Sequence, residues 1–221
     1  MLHGLFVTGT DTGVGKTVAA AALLHRYRDR LPLRYWKPIQ TGIEQDDDTA
    51  EVARLGACGP QEIFASGVRL ERPVSPHLAA RLSGQPINID GLVSAVRAEP
   101  DTSRWIVEGA GGALVPVSDS ANMTDLMTRL ALPVVVVART ALGTINHTLL
   151  TLEALRRRAI QTAGVIMVGV PNADNRDAIE RYGHVHILGE MPPIEPLTAD
   201  RLASWAAAGL DRNGRLLELL R

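Results

Sequence analysis

The chain has 221 residues, 46% hydrophobic and 21% charged, a balance that supplies a sizeable core and excludes a disordered chain. With 23 basic against 24 acidic residues and a formal net charge of −1, no global field draws it to nucleic acid or an anionic membrane, so any anion site must be local. One cysteine, Cys58, excludes an intramolecular disulfide framework and a cysteine-based zinc cluster, and no apolar run approaches the ~18 residues of a membrane span.

The N-terminus leads straight into an apolar run, GLFVT at residues 4–8, with no basic stretch or small-residue cleavage site before it, which reads as a cytoplasmic chain. That run predicts a strand ending in a glycine-rich turn, and the alanine- and leucine-rich residues 16–30 have helical spacing. Residues 33–39 predict a second strand that ends in Lys37-Pro38. The acids Asp46, Asp47 and Asp48 then open a helix over 49–55, where negative charge complements the helix dipole. Residues 104–108 predict a buried strand running into GAGG. Residues 133–138 (PVVVVA) are β-branched on successive positions, the pattern of a strand covered on both faces. A helix over 145–158, strands over 163–170 and 185–188, a short helix within 172–182 and a helical C-terminus over 199–220 broken at Gly209 complete the series. The alternation predicts one domain, 1–221, with a doubly wound α/β fold: a mainly parallel sheet, helices on both faces and the ligand site at the carboxyl ends of the strands.

Residues 9–17 read GTDTGVGKT between a predicted strand and a predicted helix, the context a phosphate-binding loop requires. Gly13 and Gly15 let backbone N–H groups turn inward, the helix N-terminus adds partial positive charge, Lys16 reaches the terminal phosphates and Thr17 offers a hydroxyl to magnesium. The spacing is unusual, because Thr10 stands where the first glycine is expected and Gly9 lies one place earlier. The plain alternative is a glycine-rich turn with a capping threonine.

With Asp11 and Thr12 in its spacer, this P-loop resembles that of dethiobiotin synthetases, and further segments agree with that family in order. They are KPIQTG at 37–42, the acid Asp48, SPH at 75–77, VEGAGG at 107–112 and LGTINH at 142–147. The likeness spans residues 4 to about 158 and weakens in the last third. It implies a P-loop NTPase-like fold and an ATP- and magnesium-dependent cyclo-ligase of biotin biosynthesis. A diamine, 7,8-diaminononanoate, takes up CO2 as a carbamate, the nucleotide phosphorylates it, and the second amine closes the ureido ring with release of ADP and phosphate. The resemblance makes Lys37 and Lys16 the catalytic lysines. It puts Gly13, Val14, Gly15, Lys16, Thr17, Val18, Asp48, Glu108, Gly109, Ala110 and Gly111 at the nucleotide. Substrate contacts fall to Thr12, Thr41, Leu142, Gly143, Thr144 and Asn146, the last four reaching into the neighbouring subunit of a homodimer to hold the substrate's carboxylate.

Thr17, Asp48 and Glu108 supply the oxygen set that magnesium takes, one or two carboxylates completed by phosphate and water. Glu108 ends an otherwise apolar strand, where an unpaired carboxylate is costly, so a metal partner is expected there. Asp46 and Asp47 read as helix-start acids only, and Thr41 reads equally as closing the turn at Gly42. Asn146 is either a ligand or an ordinary first-turn residue. His147 reads as the latter, and His77 as a residue packed under its loop. A second class, the dimeric nucleotide-switch ATPases of the partition and septum-site type, shares the expected sheet, but this chain has Asp11 where they carry a signature lysine and lacks a basic amphipathic C-terminal helix. A cobyrinate-type amidating synthase would need a glutaminase domain with its cysteine. Many dethiobiotin synthetases place an Asn-Asp pair after the strand corresponding to 163–170. Here no amide occurs until Asn172, which predicts loose reading of the base and acceptance of other nucleoside triphosphates besides ATP.

Overall fold

The structure is a computed structural model that describes residues 2–100 and 102–220; Met1, Asp101 and Arg221, which belong to the expected 1–221 span, lie outside the described residues. From the N-terminus, β1 (Gly4–Gly9) leads into α1 (Lys16–Tyr27), β2 (Leu33–Trp36), β3 (Ile39–Thr41), α2 (Asp48–Leu55), β4 (Ile63–Phe64), β5 (Val68–Leu70), α3 (Pro76–Ser83) and α4 (Ile89–Arg97). There follow β6 (Arg104–Gly112), α5 (Met123–Leu130), β7 (Val134–Arg139), α6 (Thr144–Arg157), β8 (Thr162–Val168), α7 (Ala173–Gly183), β9 (Ile187–Met191), α8 (Ala199–Gly209) and α9 (Arg215–Leu220).

Among the described residues, seven strands form one sheet in the order β4-β2-β6-β1-β7-β8-β9, every pair parallel. Successive side chains of a strand point to opposite faces, and here both faces are covered. Leu5 and Val7 of β1 enter a core shared with α1, α2, α8 and α9, while Phe6 enters a second core with α4, α5, α6 and α7. The run of valines in β7 divides the same way, with Val135 and Val137 on the α1 face and Val134 and Val136 on the other. Ala19, Ala20, Ala21 and Ala22 of α1 are fully buried, their small side chains allowing the helix to lie close to the strands. The crossover from β1 to β2 passes over β6, while that from β6 to β7 passes over β1 in the opposite direction, and this reversal opens a crevice at the carboxyl ends of β1 and β6, where such sheets bind ligands.

Several expected elements are corrected. The strand over 33–39 is two: Pro38 has no N–H for a ladder, and the chain leaves the main sheet at Lys37, so that Ile39–Thr41 pairs with Val68–Leu70 in a separate two-stranded sheet. The strand expected to end at Glu108 continues to Gly112. Helix α1 stops at Tyr27. The C-terminal break is wider than one glycine, and the buried Asp211 fills it by accepting from the N–H groups of Arg215 and Leu216 and from Tyr27 Oη at 2.5 Å.

Candidate active site

The loop between β1 and α1 is held from inside. Gly13 and Gly15 have φ of 70° and 97°, a region that strains other residues, and a Cβ on Gly15 would come 3.1 Å from the side chain of Val168 in β8. Lys16 Nζ donates to the Asp11 carbonyl at 3.2 Å. Burial, and then the like charge of Lys37, lower the Lys16 pKa. The Asp11 carboxylate accepts from the Thr12 N–H at 2.7 Å and pairs with Arg139 at 2.9 Å.

Lys37 is the hub of the crevice. Only 2% of its side chain is exposed, and Nζ lies 2.5 Å from Asp48 Oδ2, 2.7 Å from Glu108 Oε1 and 3.1 Å from the Gly109 carbonyl. Thr17 Oγ1 stands 2.7 Å from Asp48 Oδ1 and 3.1 Å from Glu108 Oε1, its one hydrogen serving either acid. Burial alone would lower the Lys37 pKa, but the charges of Glu108 and Asp48 outweigh it and raise it. For Asp48, burial pushes up, yet Lys37 holds the carboxyl below its ordinary range. The sequence expected a metal to partner Glu108; protein groups already do so, Lys37 donating to Oε1 at 2.7 Å and the Tyr35 hydroxyl to Oε2 at 2.9 Å.

Neighbouring elements set these positions. Arg69 of β5 donates to the Lys37 carbonyl at 2.8 Å and to Thr49 Oγ1 at 3.4 Å, tying the lysine turn to α2. Asp47 caps α2 by accepting from the N–H groups of Thr49 and Ala50 at 3.0 and 3.1 Å. Asp46 does not cap; its carbonyl accepts from Gln40 Nε2 at 2.9 Å. With the cap at Asp47, the carboxylate of Asp48 is left free to face Thr17 and Lys37.

A phosphate-type loop, two buried lysines and two acids therefore meet at the carboxyl ends of β1, β2 and β6. The AAA-domain family model matches residues 3–201. The ATP-dependent dethiobiotin synthetase BioD of Paramagnetospirillum magneticum is 49% identical to this chain over 202 residues, covering 91% of this chain and 94% of that protein. This chain belongs to the dethiobiotin synthetase family. The synthetase of the same description from Brucella ovis is 44% identical over 198 residues, 90% of each chain. The biotin biosynthesis bifunctional protein BioCD of Bordetella avium is 44% identical over 205 residues, which cover 92% of this chain and 42% of that longer one. Among solved structures, a ParA family ATPase from Chlorobium tepidum (TM-score 0.56, 93% of this chain and 98% of that one) and the septum site-determining protein MinD from Pyrococcus horikoshii (0.57, 93% and 95%) share the fold, each at 12% identity. That likeness is one of architecture, and the far higher identities place the chain with the dethiobiotin synthetases and not with the switch ATPases.

In this synthetase a cavity of about 660 Å³ brings together Thr12, Gly13, Gly15, Lys16, Thr17, Val18, Lys37, Thr41, Asp48, Glu108, Ala110 and Gly111. Two residues expected at the nucleotide do not line it. Val14 is buried beneath the loop, and Gly109 contributes its carbonyl to Lys37 from below. The 142–146 segment lies elsewhere. Leu142, Gly143 and Asn146 are exposed around the start of α6, and the buried Thr144 donates to the Arg139 carbonyl at 2.5 Å. His147 lines a shallow groove with Thr12, Leu114 and Leu150, and the His77 N–H bonds the Pro116 carbonyl. A separate cavity of about 600 Å³ runs along β9 past Pro171, Arg176, Trp205 and Arg212.

Sequence reasoning missed Tyr35, Arg69 and Arg139. For Tyr35 a signal existed, because it stands two residues before Lys37 on one strand and two-residue spacing shares a face. Arg69 and Arg139 reach the site from distant segments and carry no local signature.

Proposed function

We propose that this chain is an ATP-dependent dethiobiotin synthetase of biotin biosynthesis that closes the ureido ring through a phosphorylated carbamate. One amine of 7,8-diaminononanoate bonds to the carbon of CO2 and loses a proton, giving a carbamate. A carbamate oxygen then attacks the γ-phosphorus of ATP, and ADP leaves. The second amine attacks the carbonyl carbon of the mixed anhydride, the ring closes and phosphate departs with the carbamate oxygen. The observation that carries this reading is Lys37, an ammonium buried on the floor of the same cavity as the phosphate loop.

Its raised pKa keeps Lys37 protonated, so it serves as a fixed cation where negative charge gathers on carbamate and phosphoryl oxygens. Lys16 is assigned to the phosphates, and releases the Asp11 carbonyl to reach them. Thr12 and Thr41 line the same cavity as Lys37, and we assign them to the substrate. The work of the protein is positioning and charge compensation, as in other phosphoryl transfers. The hydroxyl of Thr17 with the carboxylates of Asp48 and Glu108 forms a hard-oxygen set that suits magnesium, and these three residues would hold it. When bound with the nucleotide, the ion neutralises charge on the transferring phosphoryl group.

The assembly proposed is a homodimer with composite sites. Leu114, Leu142 and Leu150 are each more than half exposed, apolar surface suited to cover by a second copy. Among the described residues no side chain caps the first turn of α6, which leaves its N–H end open to a carboxylate, yet this turn does not line its own chain's main cavity. Among the described residues no helix is long and apolar enough to cross a membrane. We propose one cytoplasmic domain over 1–221, with small molecules and a second copy as partners and neither nucleic acid nor membrane. Incubation with 7,8-diaminononanoate, bicarbonate, magnesium and ATP tests the function. Dethiobiotin and ADP should appear in equal amounts, whereas ADP formed without diamine, and no dethiobiotin with it, would support a switch ATPase.

A further inference from the structure

The two oxygens of Glu108 have different neighbours. Oε1 faces Lys37 Nζ at 2.7 Å and Thr17 Oγ1 at 3.1 Å, on the cavity side. Among the described residues Oε2 receives one bond, from the Tyr35 hydroxyl at 2.9 Å, and Tyr35 is fully buried. Its ring packs in the core that α1 and α2 share, so it cannot follow Glu108 if the carboxylate turns. Lys37 follows directly on the end of that strand, two residues after Tyr35, and reaches the other oxygen.

We propose that Tyr35 is a positioning residue for the metal site: by holding Oε2 from within the core, it fixes the carboxylate plane of Glu108 and keeps Oε1 turned to the cavity. Without the hydroxyl, Oε2 is a buried acceptor with no partner. The carboxylate then rotates to share Oε1 and Oε2 with Lys37, and the oxygen offered to a cation is no longer preset. The inference rests on the reading of Glu108 as a magnesium ligand.

The test compares Tyr35→Phe with Tyr27→Phe. Tyr27 is the matched control, a second buried tyrosine whose hydroxyl bonds a carboxylate, Asp211, between α1 and α9; Asp211 borders the cavity along β9 and not the one that holds Glu108. Manganese binding to each protein saturated with a non-hydrolysable ATP analogue is followed by the electron paramagnetic resonance of free Mn2+. Nucleotide affinity is measured separately in chelator. Tyr35→Phe should weaken Mn2+ binding by about tenfold, keep the metal-free nucleotide affinity and recover kcat at high magnesium, while Tyr27→Phe lowers the melting temperature comparably and leaves Mn2+ binding unchanged. Equal Mn2+ affinity in Tyr35→Phe and the unmodified protein overturns the proposal, as does an equal loss in both variants. Glu108→Gln separates the two layers. If it leaves Mn2+ binding intact, the ligand reading itself is wrong; if it weakens binding while Tyr35→Phe does not, only the role of Tyr35 fails.

Discussion

Lys37 Nζ lies 2.5 Å from Asp48 Oδ2 with 2% of the lysine side chain exposed, so the cation is held where a substrate would meet it before any substrate arrives. Burying an ion pair is expensive, and the expense is sensible where the cation must act on transient negative charge. Lys37→Gln should lower kcat by about 10²–10³-fold, the range for one lost charge-stabilising donor, with ATP affinity changed only a few-fold. Lys16→Gln should damage both kcat and ATP binding, since that lysine is read as a phosphate contact in ground and transition states alike. Steady-state kinetics with nucleotide titration checks both. Near-normal turnover in Lys37→Gln would remove the residue from the mechanism.

Adjacent acids at the start of α2 have separable tasks. Asp47 accepts from two backbone N–H groups, and Asp48 faces Thr17 and Lys37. Asp47→Ala should cost about 1 kcal/mol of stability and leave the magnesium requirement unchanged. Asp48→Ala should raise the magnesium concentration needed for half-maximal rate. Thermal melts and magnesium titrations on both variants decide it, and the reverse pattern would make Asp48 a capping residue only.

Composite sites predict rescue between inactive chains. Lys37→Gln and Asn146→Asp should each be inactive alone. After subunit exchange, half of the dimers are hybrids with one intact site, so activity should recover to about a quarter of the unmodified level. Demonstrated exchange without any recovery would argue that each chain's site is self-contained.

The base should be read loosely. Strand β8 ends in Val168, the following Val170 is 70% exposed, and the first amide, Asn172, is committed: its Oδ1 accepts from the Asn175 N–H at 2.9 Å as the cap of α7. An apolar side chain cannot tell a donor edge from an acceptor edge. GTP, CTP and UTP should therefore support kcat/KM within about a hundredfold of ATP, or ~2.7 kcal/mol. A steeper preference would reveal a base-reading group elsewhere.

The parallel sheet was legible in the sequence because burial on both faces leaves unbroken apolar runs, as in the valines of β7, and because the P-loop must sit between a strand and a helix. Most short elements were not legible: α2 was read from the acids that open it, but α5 was not expected at all. Helices α3 and α4 and strands β4 and β5 lie in 56–103, where eight- and nine-residue helices and two- and three-residue strands give too few turns or alternations for a period to show. The lysines and acids of the cavity could be read through their motifs, whereas their supports could not. Arg69 bonds Lys37 across 32 residues and Arg139 reaches Asp11 across 128, separations that only the folded chain closes. The pairing of Glu108 was hidden for the same reason.

The path of one oxygen tests the central claim that ATP phosphorylates a carbamate. With 18O-labelled bicarbonate, diamine, magnesium and ATP, inorganic phosphate released in a single turnover should carry one carbamate oxygen, and the dethiobiotin carbonyl another. Unlabelled phosphate formed beside labelled dethiobiotin would contradict the account, because the nucleotide would then have been cleaved without passing its phosphoryl group to the carbamate.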